Sequence, residues 1–463
     1  MATRRMSPYL ALAAACLMLV VVGCAGTSEP ADEGSTTTQN STPDTTAETP
    51  GSTGETPDST ADLSGQVNII APTNAPSDAG FQAVTEAFNE AYPNVTATYT
   101  GVAEYDTTRA AQLAAGTADI VVCFPRQPQE FTGQTASEDT LMAQAGQFVD
   151  LTDEPFMDNY TQTVLESPRS AIDGRVYAAP TGLAYATGVF YNEQIFEDND
   201  LEIPTTWAEL LEVIDTLNAQ GITPFGYGGL DAFPQTLPLY GLINSMYPDD
   251  DAKWDLLEGL WDGSVDLTTG TPLEILERLQ VVYDNSTDIS PGMTIVESLA
   301  AFGNGEFAMV FDGTWDQKAI LDVVDSRFEF GMFPFPGGDQ AEENQFLSGK
   351  IELQLCVAEA SENKEAALAW LEFFSQPENY TSFVENSGFA PAQPNIVTED
   401  AFMESIAPYT DEFRLFWEAI FIAPQGLAPE GNTGFAYSLL EPFGSSTPEE
   451  AATAAQAAWA AVR

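Results

Sequence analysis

The strongest constraint on the fold is an alternation of strand and helix patterns that begins at residue 67. Val67-Asn68-Ile69-Ile70 reads as a strand, and a polar loop from Thr73 to Asp78 follows it. Phe81, Val84, Ala87, Phe88 and Ala91 then recur at helical spacing, and Pro93 ends that helix. Val95–Tyr99 is a second strand, Tyr105–Ala115 a helix closed by Gly116, and Asp119–Cys123 a third strand. Such a βαβαβ series requires a parallel sheet with helices on its faces. Ligands of such sheets bind at the loops beyond the strand C-termini, which here begin near Thr73 and Phe124. Strands follow at Gly188–Tyr191 and Ala308–Phe311. Helices are expected over 207–220, 254–261, 272–284, 296–303, 362–374, 377–386, 399–419 and 447–461. From residue 64 about 400 residues remain, too many for one hydrophobic core, so two lobes are expected. There is no internal repeat and no second low-complexity linker, so the chain is expected to cross between the lobes more than once.

The N-terminus sets the compartment. Arg4 and Arg5 precede an apolar run from Tyr9 to Val22, which ends in Val21-Val22-Gly23-Cys24. This is the order of a secretory signal, and its apolar run is short for a membrane-spanning helix. The last four residues resemble a bacterial lipobox, in which the Cys24 thiol is lipidated after cleavage. Residues 25–62 hold no Lys, Arg or aromatic residue and are rich in Thr, Ser, Pro, Asp and Glu. Such a segment cannot offset its conformational entropy by burial, so 24–63 reads as a disordered acidic tether.

Net charge is −56, with 70 acidic residues against 14 basic ones, which excludes nucleic acid as a partner. The absence of His removes Ser-His-Asp and Cys-His catalysis and His metal sites, and no metal or cofactor is expected. Cys123 and Cys356 could pair, but each sits in an apolar run, which favours two buried strand thiols. Asp249-Asp250-Asp251 lacks the Gly and distal Glu of a calcium loop and reads as a helix N-terminus.

Seven strings in order carry a family resemblance. They are Ala87–Val95, Leu113–Ile120, Gly174–Pro180, Phe190–Phe196, Pro204-Thr205-Thr206-Trp207-Ala208-Glu209-Leu210, Phe302–Met309 with Gly313-Thr314-Trp315, and Ser361–Ala367. Together they resemble family 1 extracellular solute-binding proteins of ABC importers, the maltodextrin- and oligosaccharide-binding members above all. The resemblance implies an α/β, two-lobed periplasmic-binding-protein fold, with interleaved lobes joined by a hinge. It places one lobe at 64–182 and 347–398 and the other at 183–346 and 399–463. It also implies a sugar as ligand and a membrane permease as partner, with no catalytic role. We expect a monomer held at the membrane by its N-terminal lipid.

A sugar site needs flat rings for the apolar faces of pyranoses and polar groups for their hydroxyls. The resemblance points to Trp315 in its Gly-x-Trp position and to Tyr185 on a segment crossing between the lobes. It points also to Phe124 and Arg126 after the third strand. Cys123 stands where maltodextrin-binding relatives carry Trp, a departure that argues against a long glucan. Thr73, Asn74 and Asp78 in the first loop are candidate hydroxyl partners, and turn chemistry or capping is their plain alternative. Tyr227 and Phe435 sit in glycine-flexed loops and are candidate stacking residues. Trp207, Trp254, Trp261 and Trp370 read as core. Two other functions are consistent with the composition: a site for polyamines, suited to aromatic and carboxylate boxes, and a glycan hydrolase using paired carboxylates.

Overall fold

The computed structural model describes residues 63–463, apart from 126–128, 133–135, 166–170, 173 and 232. The signal sequence, Cys24, the acidic tether and Arg126 lie outside the described residues. Strands β1 (Gly65–Pro72), β2 (Val95–Val102) and β3 (Ile120–Val122) run parallel, with β1 between the other two. Helices Ala75–Ala91 and Tyr105–Ala115 connect them, as the apolar spacing predicts. The first of these buries Phe81, Val84 and Phe88 along one stripe. The second ends where Gly116 takes the left-handed conformation, at φ 66°.

A strand from far along the chain, β12 (Leu355–Val357), adds antiparallel to β3 at the sheet edge. That pairing sets Cys356 beside Cys123, and the two form a disulfide, with Cα atoms 5.9 Å apart. The expectation of two free thiols is corrected, because only the tertiary pairing of β3 with β12 brings them together. The bridge spans 233 residues of sequence.

A short hairpin, β4 (Ala171–Ile172) with β5 (Arg175–Val176), precedes the passage to the second lobe. The passage is β6 (Gly182–Tyr185). The second sheet contains β7 (Gly188–Asn192), β8 (Thr223–Gly226), β9 (Phe307–Val310) and β10 (Phe330–Pro334), in the order β10-β7-β9-β8. The return passage is β11 (Gly349–Glu352), paired antiparallel with β6. Gly349 is required there, since a Cβ at that position would fall on the carbonyl oxygen of Ala184. One core gathers side chains from Val67 to Leu183 and from Ile351 to Ala392. Two others gather side chains from Tyr185 to Leu347 and from Ile406 to Trp459.

Helix starts follow local chemistry. Thr206 caps Trp207–Ala219 by accepting from the Glu209 amide, and Glu209 accepts from Thr205 in return. Asp249 caps Asp250–Asp262, so the acidic triplet is a helix N-terminus as expected. Trp370 is fully buried, Trp207 is buried under Arg278, and Trp254 and Trp261 pack on the second core. The helix expected over 399–419 is corrected. It breaks into Ala401–Ile406, a 3₁₀ turn at Ala407–Tyr409 and Trp417–Ile420. Pro408 has no amide hydrogen to continue it. The chain between lies along β11 instead: Gly349 N–H donates to Arg414 O, and Phe416 N–H donates to Gly349 O.

Lys253 joins this stretch to the second lobe. Its side chain is wholly buried, its ammonium donates to Leu415 O at 2.9 Å, and Asp250 Oδ1 lies 3.4 Å away. Burial pushes its pKa down to about 8, against the opposing pull of Asp250. The unfolded chain, with an ordinary lysine value of about 10.4, binds more protons above pH 8, so this group's contribution to stability rises with pH from about 8 to 10. Wild type is therefore expected to gain melting temperature relative to Lys253→Met across that window, and a constant difference would contradict the assignment. Removing the disulfide by a Cys123→Ala and Cys356→Ala double substitution should cost about 2–4 kcal/mol. Denaturant titration of the double variant checks this.

Candidate ligand-binding cleft

The site is built on the loop that follows β9, Asp312-Gly313-Thr314-Trp315-Asp316. Trp315 folds back over this loop, which only glycine at 313 permits, because a Cβ there would fall on the indole ring. The indole N–H donates to Asp312 Oδ1 at 3.0 Å, and the same oxygen accepts from Gly313 N–H at 2.7 Å. Asp312 Oδ2 is buried without a hydrogen-bond partner. Thr314 Oγ1 accepts from Tyr185 N–H at 3.0 Å, which ties the loop to β6. Asp316 Oδ1 accepts from Asn74 Nδ2 at 2.9 Å, so the loop after β1 meets the loop after β9. Trp315 itself packs against side chains of both main cores. The arrangement thus sits where the two lobes face each other.

Lys350 lies at the centre. Strand alternation puts Lys350 and Glu352 on one face of β11. The Lys350 ammonium is 3.1 Å from Glu352 Oε2 and 3.6 Å from Glu418 Oε2. Four rings surround it: Trp315 at 5.1 Å, Phe233 at 5.7 Å, Phe124 at 5.8 Å and Phe416 at 5.9 Å from nitrogen to ring centroid. Each ring is within reach of a cation–π attraction, worth about 0.5–2 kcal/mol and more when water is excluded. Phe124 is fixed by its own N–H, which donates to Asp139 Oδ2 at 2.6 Å, while Arg109 pairs with Asp139 Oδ1 at 2.7 Å. Phe416 is fixed by the bond from its N–H to β11. Burial, and then the neighbouring Asp316, hold the Asp312 carboxyl well above the ordinary carboxylate range. Burial also raises Asp316, against the donation it receives from Asn74.

Three residues expected from the sequence meet here: Trp315, Phe124 and Asn74. Thr73 and Asp78 instead close a local network. Asp78 accepts from Thr73 Oγ1 at 2.6 Å and from Tyr99 OH at 2.5 Å, so both its oxygens are engaged in the turn. Tyr185, expected to face the cleft, is 4% exposed and packs edge-on to Phe413; it serves the site through its backbone. Tyr227 and Phe435 are corrected as stacking residues. Tyr227 is fully buried between Tyr283 and Phe443, and Phe435 is 1% exposed in the second core. Burial there, away from any cleft, leaves neither a free face. The residues missed by sequence reasoning are Lys350, Glu352, Asp312, Asp316, Glu418, Phe233 and Phe416. Asp312 and Asp316 had a signal, since they bracket Trp315. Phe233 and Phe416 had none, because only tertiary folding brings them to the ring cluster.

Residues 71–381, more than half of the chain, match the family described as bacterial extracellular solute-binding protein. The chain belongs to this family. The Multiple sugar-binding protein of Streptococcus mutans is 23% identical over 70% of this chain and 74% of its own length. The solute-binding protein RafE in complex with raffinose superposes with a TM-score of 0.70, at 17% identity, over 86% of this chain and 100% of that one. A sugar transporter from Bacillus licheniformis in complex with stachyose gives a TM-score of 0.65, at 16% identity, over 86% and 100%. These likenesses establish the two-lobed α/β fold. In this solute-binding protein, no helix among the described residues is long and apolar enough to cross a membrane.

The raised Asp312 carboxyl has a checkable consequence. A carboxyl whose pKa is higher in the fold than in the unfolded chain loses stability as pH rises above the unfolded value of about 3.9. Asp312→Asn imitates the protonated form. The variant is expected to melt above wild type at pH 7, with the gap closing toward pH 4; a variant that melts lower at pH 7 would contradict the assignment.

Proposed function

We propose that this protein is the lipid-anchored capture subunit of an ABC importer, taking a sugar between its two lobes and passing it to a membrane permease. The observation that carries this reading is Trp315. Its ring packs against both main cores, its N–H is fixed by Asp312, and in the loops that meet there Asp312 Oδ2 and Asn74 Oδ1 are buried without hydrogen-bond partners. A ring for stacking beside acceptors that lack donors is what a polyol needs. The named sugars of the relatives support the ligand class, and the Val21-Val22-Gly23-Cys24 string supports a lipid at Cys24. The three cores, one on one side and two on the other, support lobes at 64–182 with 347–398 and 183–346 with 399–463. Closure of such lobes on a ligand is a hinge motion, for which β6 and β11 are the strands that bend. The role is binding and release, with no bond broken in the solute.

The test is a thermal-shift screen of the purified protein against mono- and oligosaccharides. A ligand at 100 times its Kd should stabilise by about 2.7 kcal/mol. Trp315→Ala is expected to keep the fold and abolish the shift. A full shift in that variant would remove Trp315 from the site, and release of product from a glycan would replace binding by hydrolysis.

A further inference from the structure

The chain from Arg414 to Phe416 is held along both of its edges. On one edge, Gly349 N–H donates to Arg414 O at 2.8 Å and Phe416 N–H donates to Gly349 O at 3.0 Å. On the other edge, the start of helix Asp250–Asp262 takes the place of a strand. Leu415 N–H donates to the Asp250 carboxylate, at 3.1 and 3.3 Å from its two oxygens, and Leu415 O accepts from the Lys253 ammonium at 2.9 Å. Arg414 Nη1 adds a third tie, to Pro248 O at 2.5 Å. Asp250 and Lys253 are neighbours one turn apart, so they offer an acceptor and a donor side by side, as a paired strand would. The Lys253 ammonium also lies 3.4 Å from Ser348 Oγ, next to Gly349, and so touches both segments. A wholly buried lysine is a costly way to satisfy one carbonyl. That cost falls at one place in the chain. The residue after Leu415 is Phe416, whose ring centroid is 5.9 Å from Lys350 Nζ, and Glu418 Oε2 is 3.6 Å from the same nitrogen. Neighbouring side chains of an extended segment point to opposite faces, so a slip of one residue would turn Phe416 away from Lys350.

We propose that Asp250 and Lys253 are positioning residues for the cleft: they fix the register of 414–416 on β11, hold Phe416 and Glu418 at Lys350, and so set the affinity for sugar without touching it. The proposal rests on the sugar-binding reading above and adds to it the pair that braces the site from behind. The acceptor oxygen of residue 250 does this work at Leu415 N–H, and the ammonium of residue 253 does it at Leu415 O.

Calorimetric titration of the purified full chain with glucose, galactose, maltotriose and raffinose tests it, at a temperature where every variant is folded. The tightest of these sugars is carried from wild type to the variants. Asp250→Ala and Lys253→Met are each expected to weaken it about tenfold or more, the scale on which groups behind a site act. Asp250→Asn, which keeps an acceptor for Leu415 N–H, should stay within about threefold of wild type. Ile275→Val, buried in the second core away from this segment, should lower the melting temperature and leave the affinity unchanged. Should Lys253→Met fail to fold, the half-exposed Asp250 still decides through its two variants. Wild-type affinity in Asp250→Ala, equal losses in Asp250→Ala and Asp250→Asn, or losses that simply follow melting temperature, Ile275→Val included, would overturn the proposal and leave the sugar-binding reading standing. A folded wild type that binds none of the sugars would overturn both.

Discussion

The pairing of β6 with β11 is the constraint on which the rest of the molecule depends. Two lobes of this size need separate sheets, and the chain must pass between them without leaving backbone groups unpaired. Antiparallel pairing of the outgoing and returning passages satisfies both. The fit is close: Ala184 faces Lys350, and Gly349 lies directly over the carbonyl of Ala184. A third segment, Arg414–Phe416, pairs with Gly349 and brings Phe416 with it. The same strands therefore connect the lobes and deliver Lys350, Glu352 and Phe416 to one place. Tyr185, at the end of β6, holds the Trp315 loop through Thr314. The strands that join the lobes and the candidate site are one construction.

The charge of the chain makes this centre unusual. With only four lysines in the sequence, two are placed at the crossing: Lys253 beneath Leu415, and Lys350 among the rings. Neither is a simple surface counter-ion to the excess of acid. Buried ion pairs of this kind add little net stability, because desolvation offsets most of the attraction. Their value lies in specifying which groups meet. Lys350 lies between Glu352 and Glu418, with Phe124, Phe233, Trp315 and Phe416 around it.

Much of the fold was legible because it rests on local periodicity. The βαβαβ opening has strands and helices within a few residues of their expected limits, and the helix start at Asp249 follows from residue type alone. The failures have a common cause in tertiary pairing. The helix expected over 399–419 gives way because Gly349 takes the backbone groups that a helix would use. Cys123 and Cys356 meet because a late strand joins an early sheet. Of the candidate site, the place of Trp315 was legible through its motif and that of Phe124 through the position of β3. Tyr227 and Phe435 failed because glycine neighbours indicate a turn and carry no information about which way an aromatic ring points. Lys350 was invisible for the opposite reason: a lysine in a strand reads as solvated, and only the folded chain surrounds it with rings.

The central claim is that solute binds where β11, the Asp312–Asp316 loop and Phe124 converge. Amide hydrogen exchange, measured with and without the sugar that most stabilises the protein, tests it most directly. The account predicts slowed exchange at 312–316, at 349–352 and around Phe124 and Phe416, with little change elsewhere. Unchanged exchange there, with protection instead at the open groove lined by Leu113, Met142 and Ala358, would contradict it.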